Sequence, residues 1–394
     1  MVNSVSLRIL AALGVGAVSV GLFGATPPIP TYSNVLTLGL GTEWRSRPLV
    51  VDLNKDGHPD LVATARGAQQ ALHVWLGDGR GNFSPMAPTW TDIGYSAIAT
   101  GDINGDGFPD IVAAGHFGGL QTLISDGKGG FAEKVVQTDD GYVDAQLADI
   151  NEDGHLDLIL LGFQKVGVEI YLGDGMGNWK LQSTLPEPRP GRTLPGREVV
   201  MGDLNGDGHV DLVAAFQRWG VYAYYGDGHG GFTGGAVNLP AVGRQIESVA
   251  LGDVNNDGHP DIVINGTLSE RGGQGGPEVY MGDGHGGWKA SSSGLNALRR
   301  ATAGIALGDV DQDGNVDIVA AGNDTNDVQS GYGLFWFRGD GKGAWQLVRE
   351  SGLPASGLSV PQHITLADLD GDHVPEVIAT NGGLNGSITI WRRR

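Results

Sequence analysis

The sequence predicts an all-β protein: a seven-bladed β-propeller with four antiparallel strands per blade, its ring closed by an N-terminal strand that completes the last blade. Three observations lead there. A nine-residue acidic loop is written seven times, beginning at Asp52, Asp102, Asp149, Asp203, Asp253, Asp309 and Asp368, in steps of 50, 47, 54, 50, 56 and 59 residues. A fixed period in this range marks an array in which each repeat is one supersecondary unit. A second turn, Gly/Ser-Asp-Gly followed by an aromatic, recurs between the loops. Finally, the seventh unit stops one strand short, while an unassigned apolar run precedes the first.

The first unit shows the order of elements. The apolar run 48–51 enters the acidic loop 52–60, and residues 60–64 leave it. A third run, 71–76, ends at Gly77-Asp78-Gly79, and Phe83 opens the fourth. Short β-rich runs bounded by Gly and Asp read as strands, and an Asp-Gly pair between two of them is a strong hairpin signal. The acidic loop therefore joins strands A and B, and the second turn joins C and D. That turn repeats at Asp126, Asp174, Asp227, Asp283 and Asp340, followed by Phe131, Trp179, Phe232, Trp288 and Trp345. These aromatics are expected to start strand D and pack between sheets. Four-stranded units in a ring of four to eight form a propeller. In the seventh unit, 376–380 and 387–391 supply strands B and C and the chain then ends. The run 34–38 is the missing fourth strand. Its closure removes an open sheet edge, a common route to aggregation.

Composition narrows the function classes. The 394 residues include 25 Lys and Arg against 45 Asp and Glu, a formal charge of −20. Nucleic acid, which needs a basic footprint, is excluded as a partner. More than half of the acids, 23 of 45, stand at positions one, three, five and nine of the seven loops, so the acidity is local and calls for a cation. No cysteine is present, which removes disulfides, zinc–thiolate sites and thiol nucleophiles. The 68 glycines recur at fixed places in the repeats and read as turn residues.

Residues 1–25 read as a secretory signal: Arg8, an apolar run over 9–24, then small residues before Pro27-Pro28. The alternative is an uncleaved anchor, although the run is short for a span of about 20 residues. Residues 26–33 are a linker and 34–394 the propeller. Location is expected to be secreted or extracytoplasmic, at the cell surface or in a periplasm. No other segment could cross a membrane.

Each loop reads D-x-[DN]-x-D-G-x-x-D, with side-chain oxygens at positions one, three, five and nine and a backbone carbonyl at seven. The expected ligands are Asp52, Asn54, Asp56 and Asp60; Asp102, Asn104, Asp106 and Asp110; Asp149, Asn151, Asp153 and Asp157; Asp203, Asn205, Asp207 and Asp211; Asp253, Asn255, Asp257 and Asp261; Asp309, Asp311, Asp313 and Asp317; and Asp368, Asp370, Asp372 and Glu376. A shell of hard oxygens suits Ca²⁺ better than Mg²⁺, which keeps several waters in a smaller octahedron. About six or seven ions are expected. The seventh loop departs from the pattern, with His373 in place of Gly and Glu376 in place of Asp. No acid stands at position twelve (Ala63 in the first loop) and the flanks are strands, so these are not EF-hands. The histidines at position seven, His58, His155, His209 and His259, are expected to offer only their carbonyls and to project into solvent.

The paired motifs D-x-[DN]-x-D-G-x-x-D and G-D-G-x-G-x-[FW] resemble the FG-GAP/VCBS repeat family over residues 34–394. The resemblance implies an integrin-α-like seven-bladed propeller with Ca²⁺ in the A–B loops and roles in adhesion or carbohydrate binding. The Phe-Gly and Gly-Ala-Pro words of integrin repeats are missing, so the chain is more similar to the VCBS branch. That branch includes calcium-containing fungal lectins, and also some propeller lyases and dehydratases.

The metal loops and C–D turns share one face, and the B–C loops and D–A links share the other. Variable loops on a rigid scaffold are where function concentrates. Candidate ligand-binding residues on that face are Trp219 with Arg218, then His116, Phe117 and Phe163, and Trp90 and Tyr95 on the first D–A link. An aromatic ring beside polar donors suits a sugar, so a glycan or a cell-surface protein is the expected partner. The starts of strand A, with Arg47, Asp144, Arg197, Glu198, Glu247 and His363, should ring the channel. Acids and a His there leave a polysaccharide lyase or sugar dehydratase as the alternative to non-catalytic binding. No self-contained catalytic motif is present.

Overall fold

The computed structural model describes residues 31–394 apart from 67–70, 88, 92–93, 137, 139–140, 164–166, 186–195, 237–243, 269–274, 296–297, 325–330, 384 and 394. The expected signal segment lies outside the described residues. Seven antiparallel sheets form the blades. Blade two is representative: strand A is Tyr95–Gly101, B is Asp110–Gly115, C is Leu120–Ser125 and D is Phe131–Val136. Blade seven is built from both ends of the chain. Its strands Val360–Ala367, Glu376–Gly382 and Ser387–Arg393 are completed by Tyr32–Leu38, paired antiparallel with the last of them. Among the described residues no helix is long and apolar enough to cross a membrane.

Burial follows position in the blade. The B strands of blades two, three and four are buried throughout, because each is covered on both faces by neighbouring blades. Their sequences are accordingly unbroken apolar runs such as DIVAAG and DLILLG. The D strands lie at the rim and are half exposed, hence FAEKVV and WKLQST.

Seven hydrophobic clusters hold the ring, one at each blade boundary. The aromatic after each C–D turn leans back onto the preceding blade, as Phe131 does in the first–second boundary and Trp345 in the fifth–sixth. The seventh aromatic is Tyr32. It stands opposite Arg393 as Phe83 stands opposite Gly77 and Trp345 opposite Gly339. Its ring is 2% exposed in the sixth–seventh cluster, and its hydroxyl donates to the Pro375 carbonyl at 2.9 Å. The closing strand therefore begins two residues earlier than the apolar run 34–38 indicated, because its first anchor is an aromatic standing outside that run.

Every strand A is irregular at one height. The pairing register with strand B slips by one residue at Ser96, Val143, Arg197, Glu247 and Gln362, and over a longer stretch around Ala303 in blade six. In blade one the strand is split into Glu43–Trp44 and Leu49–Val51. Bulges re-aim side chains and are common beside functional sites. Here they point a ring of residues at the channel axis.

Candidate functional site

The acidic loops form one face. In each, the N–H of position six donates to the carboxylate of position one, as Gly57 does to Asp52 at 2.9 Å and His373 to Asp368 at 2.8 Å. Position five caps the N–H of position seven, as Asp56 does for His58 at 2.9 Å. In loops one to five the Asn at position three contacts Asp at position five at 2.8–3.0 Å. The chain thus preforms the loop through Asx turns. Its donor set is all hard oxygen, which fits a hard cation such as Ca²⁺.

Positions four and six adopt positive φ in all seven loops. Gly fills position six except at His373, held at φ 68°. Position four is Gly in three loops; in the other four, Lys55, Glu152, Asn256 and Gln312 take the left-handed conformation at φ 55–63°. Each of these reaches the next blade's loop. Lys55 lies 5.4 Å over the Phe108 ring, Glu152 meets His209 at 2.7 Å, Asn256 donates to Asn315 at 3.0 Å, and Gln312 to the His373 carbonyl at 2.6 Å. The contact between adjacent loops offsets the local backbone strain.

The position-seven histidines do more than expected. The rings of His58, His155, His209 and His259 lie over Gly79, Gly175, Gly228 and Gly284 of the C–D turns, where a Cβ would clash at 2.1–2.5 Å. His58, His155 and His259 are still largely exposed. The hydrogen bond that His209 donates to the Glu152 carboxylate raises its pKa.

Position nine braces the loop against strand C. Asp211 is fully buried and takes the N–H of Leu204 and of Gly226, both at 2.8 Å. The same pair of bonds recurs at Asp60, Asp110, Asp157, Asp261 and Asp317. Burial pushes Asp110, Asp157, Asp211 and Asp261 up to about 6, and Asp317 and Glu376 up to about 7. Asp211→Ala leaves two buried N–H groups unpaired at about 1–3 kcal/mol each. A loss of about 2–6 kcal/mol is expected in urea unfolding with chelator present, against under about 1 kcal/mol for the exposed Asp207→Ala. Equal losses in the two variants would contradict the brace.

The opposite face carries the channel mouth, a cavity of about 210 Å³ to which all seven blades contribute. Its walls are the bulge residues Ser96, Val143, Arg197, Glu247, Ala303 and Gln362, with Arg45, Arg66, His116, Phe163 and His363. The bulge residues each stand six positions ahead of their loop's first Asp, a periodic signal the sequence reading did not use. Three arginines gather here in a protein of charge −20. Arg45 pairs with Glu43 at 2.5 Å and Arg197 with Glu247 at 3.2 Å. The Nε of Arg45 is buried with no hydrogen-bond acceptor, and among the described residues Arg66 has no ion-pair partner. His116 packs on Phe163 with ring centroids 3.8 Å apart and planes tilted by 45°, and Phe117, 83% exposed, stands edge-on to His116 at 4.8 Å. Burial, reinforced by Arg66 and Arg45, lowers His116 to about 4. Burial and Arg47 lower His363 to about 3. Both imidazoles are held in the neutral form at pH 7.

Below the mouth, the acids are committed to structure. Glu198 is 2% exposed, pairs with Arg47, and accepts the Ser248 hydroxyl and the Val249 N–H. Asp144 accepts N–H groups of Val199 at 2.9 Å and Ala145 at 3.0 Å, and burial raises its pKa to about 6. Each ties its blade to the next. Of the other ligand candidates, Trp90 is a core residue, 8% exposed and edge-on to Phe131 at 5.5 Å. Trp219 packs on the third–fourth boundary, while Arg218 is exposed at φ 79°. Tyr95 opens strand A of blade two. An aromatic in a loop satisfies packing as readily as a pocket, so composition alone did not separate these cases.

The sequence profile of the FG-GAP-like repeat matches residues 52–113, 102–160, 149–214, 203–264 and 309–379, each window starting at an acidic loop. No curated protein matches the chain. Among solved structures, BBS1N in complex with ARL6DN is similar at TM-score 0.53 and 11% identity, over 93% of this chain and 98% of that one. An ancestral GH74 enzyme is similar at TM-score 0.58 and 12% identity, over 92% of this chain and 51% of that one, so this chain spans about half its length. A protein from Lactobacillus plantarum is similar at TM-score 0.58 and 13% identity, over 82% and 88%. At such identities the likeness is one of fold.

Proposed function

We infer that this chain, which belongs to the FG-GAP-like repeat family, is an exported, calcium-stabilised propeller that binds an acidic carbohydrate at its channel mouth without transforming it. One observation carries the reading: the bulges of six blades and the split strand of blade one converge on a cavity with three arginines, two neutral imidazoles and an aromatic ring. A guanidinium fork matches a carboxylate, and a ring offers a face to the apolar side of a sugar. Export rests on the pattern of residues 1–25, and calcium on the oxygen loops of the far face, which would hold the ring rigid. The commitment of Asp144 and Glu198 to inter-blade bonds favours binding over a lyase.

The test is a glycan array read at two salt concentrations with the native protein, Arg66→Ala and Arg197→Gln. Uronate- or sialate-bearing glycans should be retained, and retention should weaken with salt. Each variant should lose about tenfold or more in affinity, since hydrogen bonds to charged groups contribute about 1.5–3 kcal/mol. Retention of neutral glycans alone, or no loss in either variant, would refute the site. Unsaturated uronate appearing in the eluate would establish the lyase, and binding only to a cell-surface protein would establish an adhesion module.

A further inference from the structure

The seven acidic loops are of two kinds, and the difference extends to a second residue on another strand. In loops one to five position three is Asn; in loops six and seven it is Asp311 and Asp370. At one register position near the end of strand C, just after the residue opposite strand B's second position, blades one to five carry Leu76, Ile124, Leu172, Tyr225 and Met281. Blades six and seven carry Arg338 and Arg392 there. An acid at position three and an arginine at this strand position occur together or not at all in the seven blades.

The structure joins the two. Arg338 Nε lies 2.6 Å from Asp311 Oδ2, and its Nη2 donates to Asp313 at 2.8 Å. Arg392 Nε lies 3.4 Å from Asp370 Oδ2 and 3.3 Å from Glu376 Oε1. Asp311 is 1% exposed, and neither of its carboxylate oxygens has a hydrogen-bond partner, so its compensation is the guanidinium. In both loops three carboxylates draw within 4.8 Å of one another, at positions one, three and nine. Such a cluster needs a cation, and here the chain supplies one. A guanidinium stays protonated at any working pH. Held against two of the four side chains at positions one, three, five and nine, it repels a divalent ion that needs the same oxygens.

We propose that loops six and seven carry a built-in arginine in place of calcium, and that calcium enters only the five loops with Asn at position three. The proposal rests on the calcium reading above. It has a structural consequence. Blade seven holds both ends of the chain, and Arg392 also donates to the Arg80 carbonyl of blade one at 3.0 Å. Loops six and seven thereby each carry one built-in positive charge before any ion arrives.

Native mass spectrometry of the full chain, stripped with chelator and reloaded with CaCl₂ alone, counts the ions. Five per chain is the expected result. Six or seven would overturn the proposal while leaving the calcium reading intact; none would remove both. The double variant Asp311→Asn with Arg338→Met, which copies the Asn255 and Met281 pattern of blade five, should bind one more ion than the native chain. An unchanged count in a folded double variant would show that the arginine does not exclude the ion. A second measurement stands if the double variant does not fold: Arg338→Met alone should lower the melting temperature of the calcium-free protein more than Leu172→Met does. Equal melting temperatures would overturn the clamp.

Discussion

Stripping calcium should lower the melting temperature of this protein by more than about 15 °C. An ion present at 100 times its dissociation constant and bound only to the folded state contributes about 2.7 kcal/mol. Five such ions together contribute on the order of 13 kcal/mol, comparable to the whole stability of an ordinary domain at about 5–15 kcal/mol. A large domain shifts by roughly 2 °C for each kcal/mol. Scanning calorimetry in millimolar CaCl₂ and then in excess chelator reads the difference. Magnesium at the same concentration should restore only a small part of it, because its tight octahedron suits these loops poorly. Superimposable scans with and without calcium would end the metal reading. Loops that shape themselves through Asx turns would then be a scaffold in their own right.

Deletion of the chain through Leu38 should abolish the folded monomer. The closing strand Tyr32–Leu38 pairs with Ser387–Arg393 and covers a blade whose Ile388, Ile390 and Trp391 are at most 3% exposed. Without it a complete sheet edge opens, and open edges recruit other chains. Uncovering a large apolar side chain costs about 1.5–3 kcal/mol. Tyr32→Ala alone should cost about 3–5 kcal/mol, the range for aromatic-to-alanine changes in a core. Light scattering and calorimetry of the truncated chain decide the matter. A monomer melting cooperatively near the native temperature would show that six clusters suffice to hold the ring.

Much of the fold was legible because its signals are short. An Asp-x-Asn-x-Asp-Gly loop closes its own hydrogen bonds within nine residues, from Asp52 to Asp60, so it looks alike in the first five blades whatever surrounds it. The C–D turns behave in the same way: Asp78 caps Arg80 and Asn82 within four residues. The candidate site was legible only in part. His116, Phe117 and Phe163 were singled out and do gather at the mouth, and Arg197, Glu247 and His363 were placed on the axis correctly. Arg45 and Arg66 were missed. They flank strands rather than occupy loops, and only the split strand A of blade one turns Arg45 inward. Trp90 and Trp219 were over-read for the opposite reason, since both rings meet a neighbouring blade that the local sequence does not reveal.

The sequence by itself determined the number of blades, the order of strands within each, the closing of the ring by its N-terminal strand and the oxygen character of one face. All of these follow from local turn chemistry repeated at a fixed period. The tertiary structure alone decided what depends on pairing across the ring. It made Tyr32 the seventh aromatic, joined Arg47 to Glu198 across 151 residues, aimed the bulged residues at one axis, and set Arg338 and Arg392 against the aspartates of loops six and seven. The physical reason is that such contacts are fixed by strand register and by the angle between blades. Neither is written in a nine-residue window, and both become definite only when the last blade meets the first.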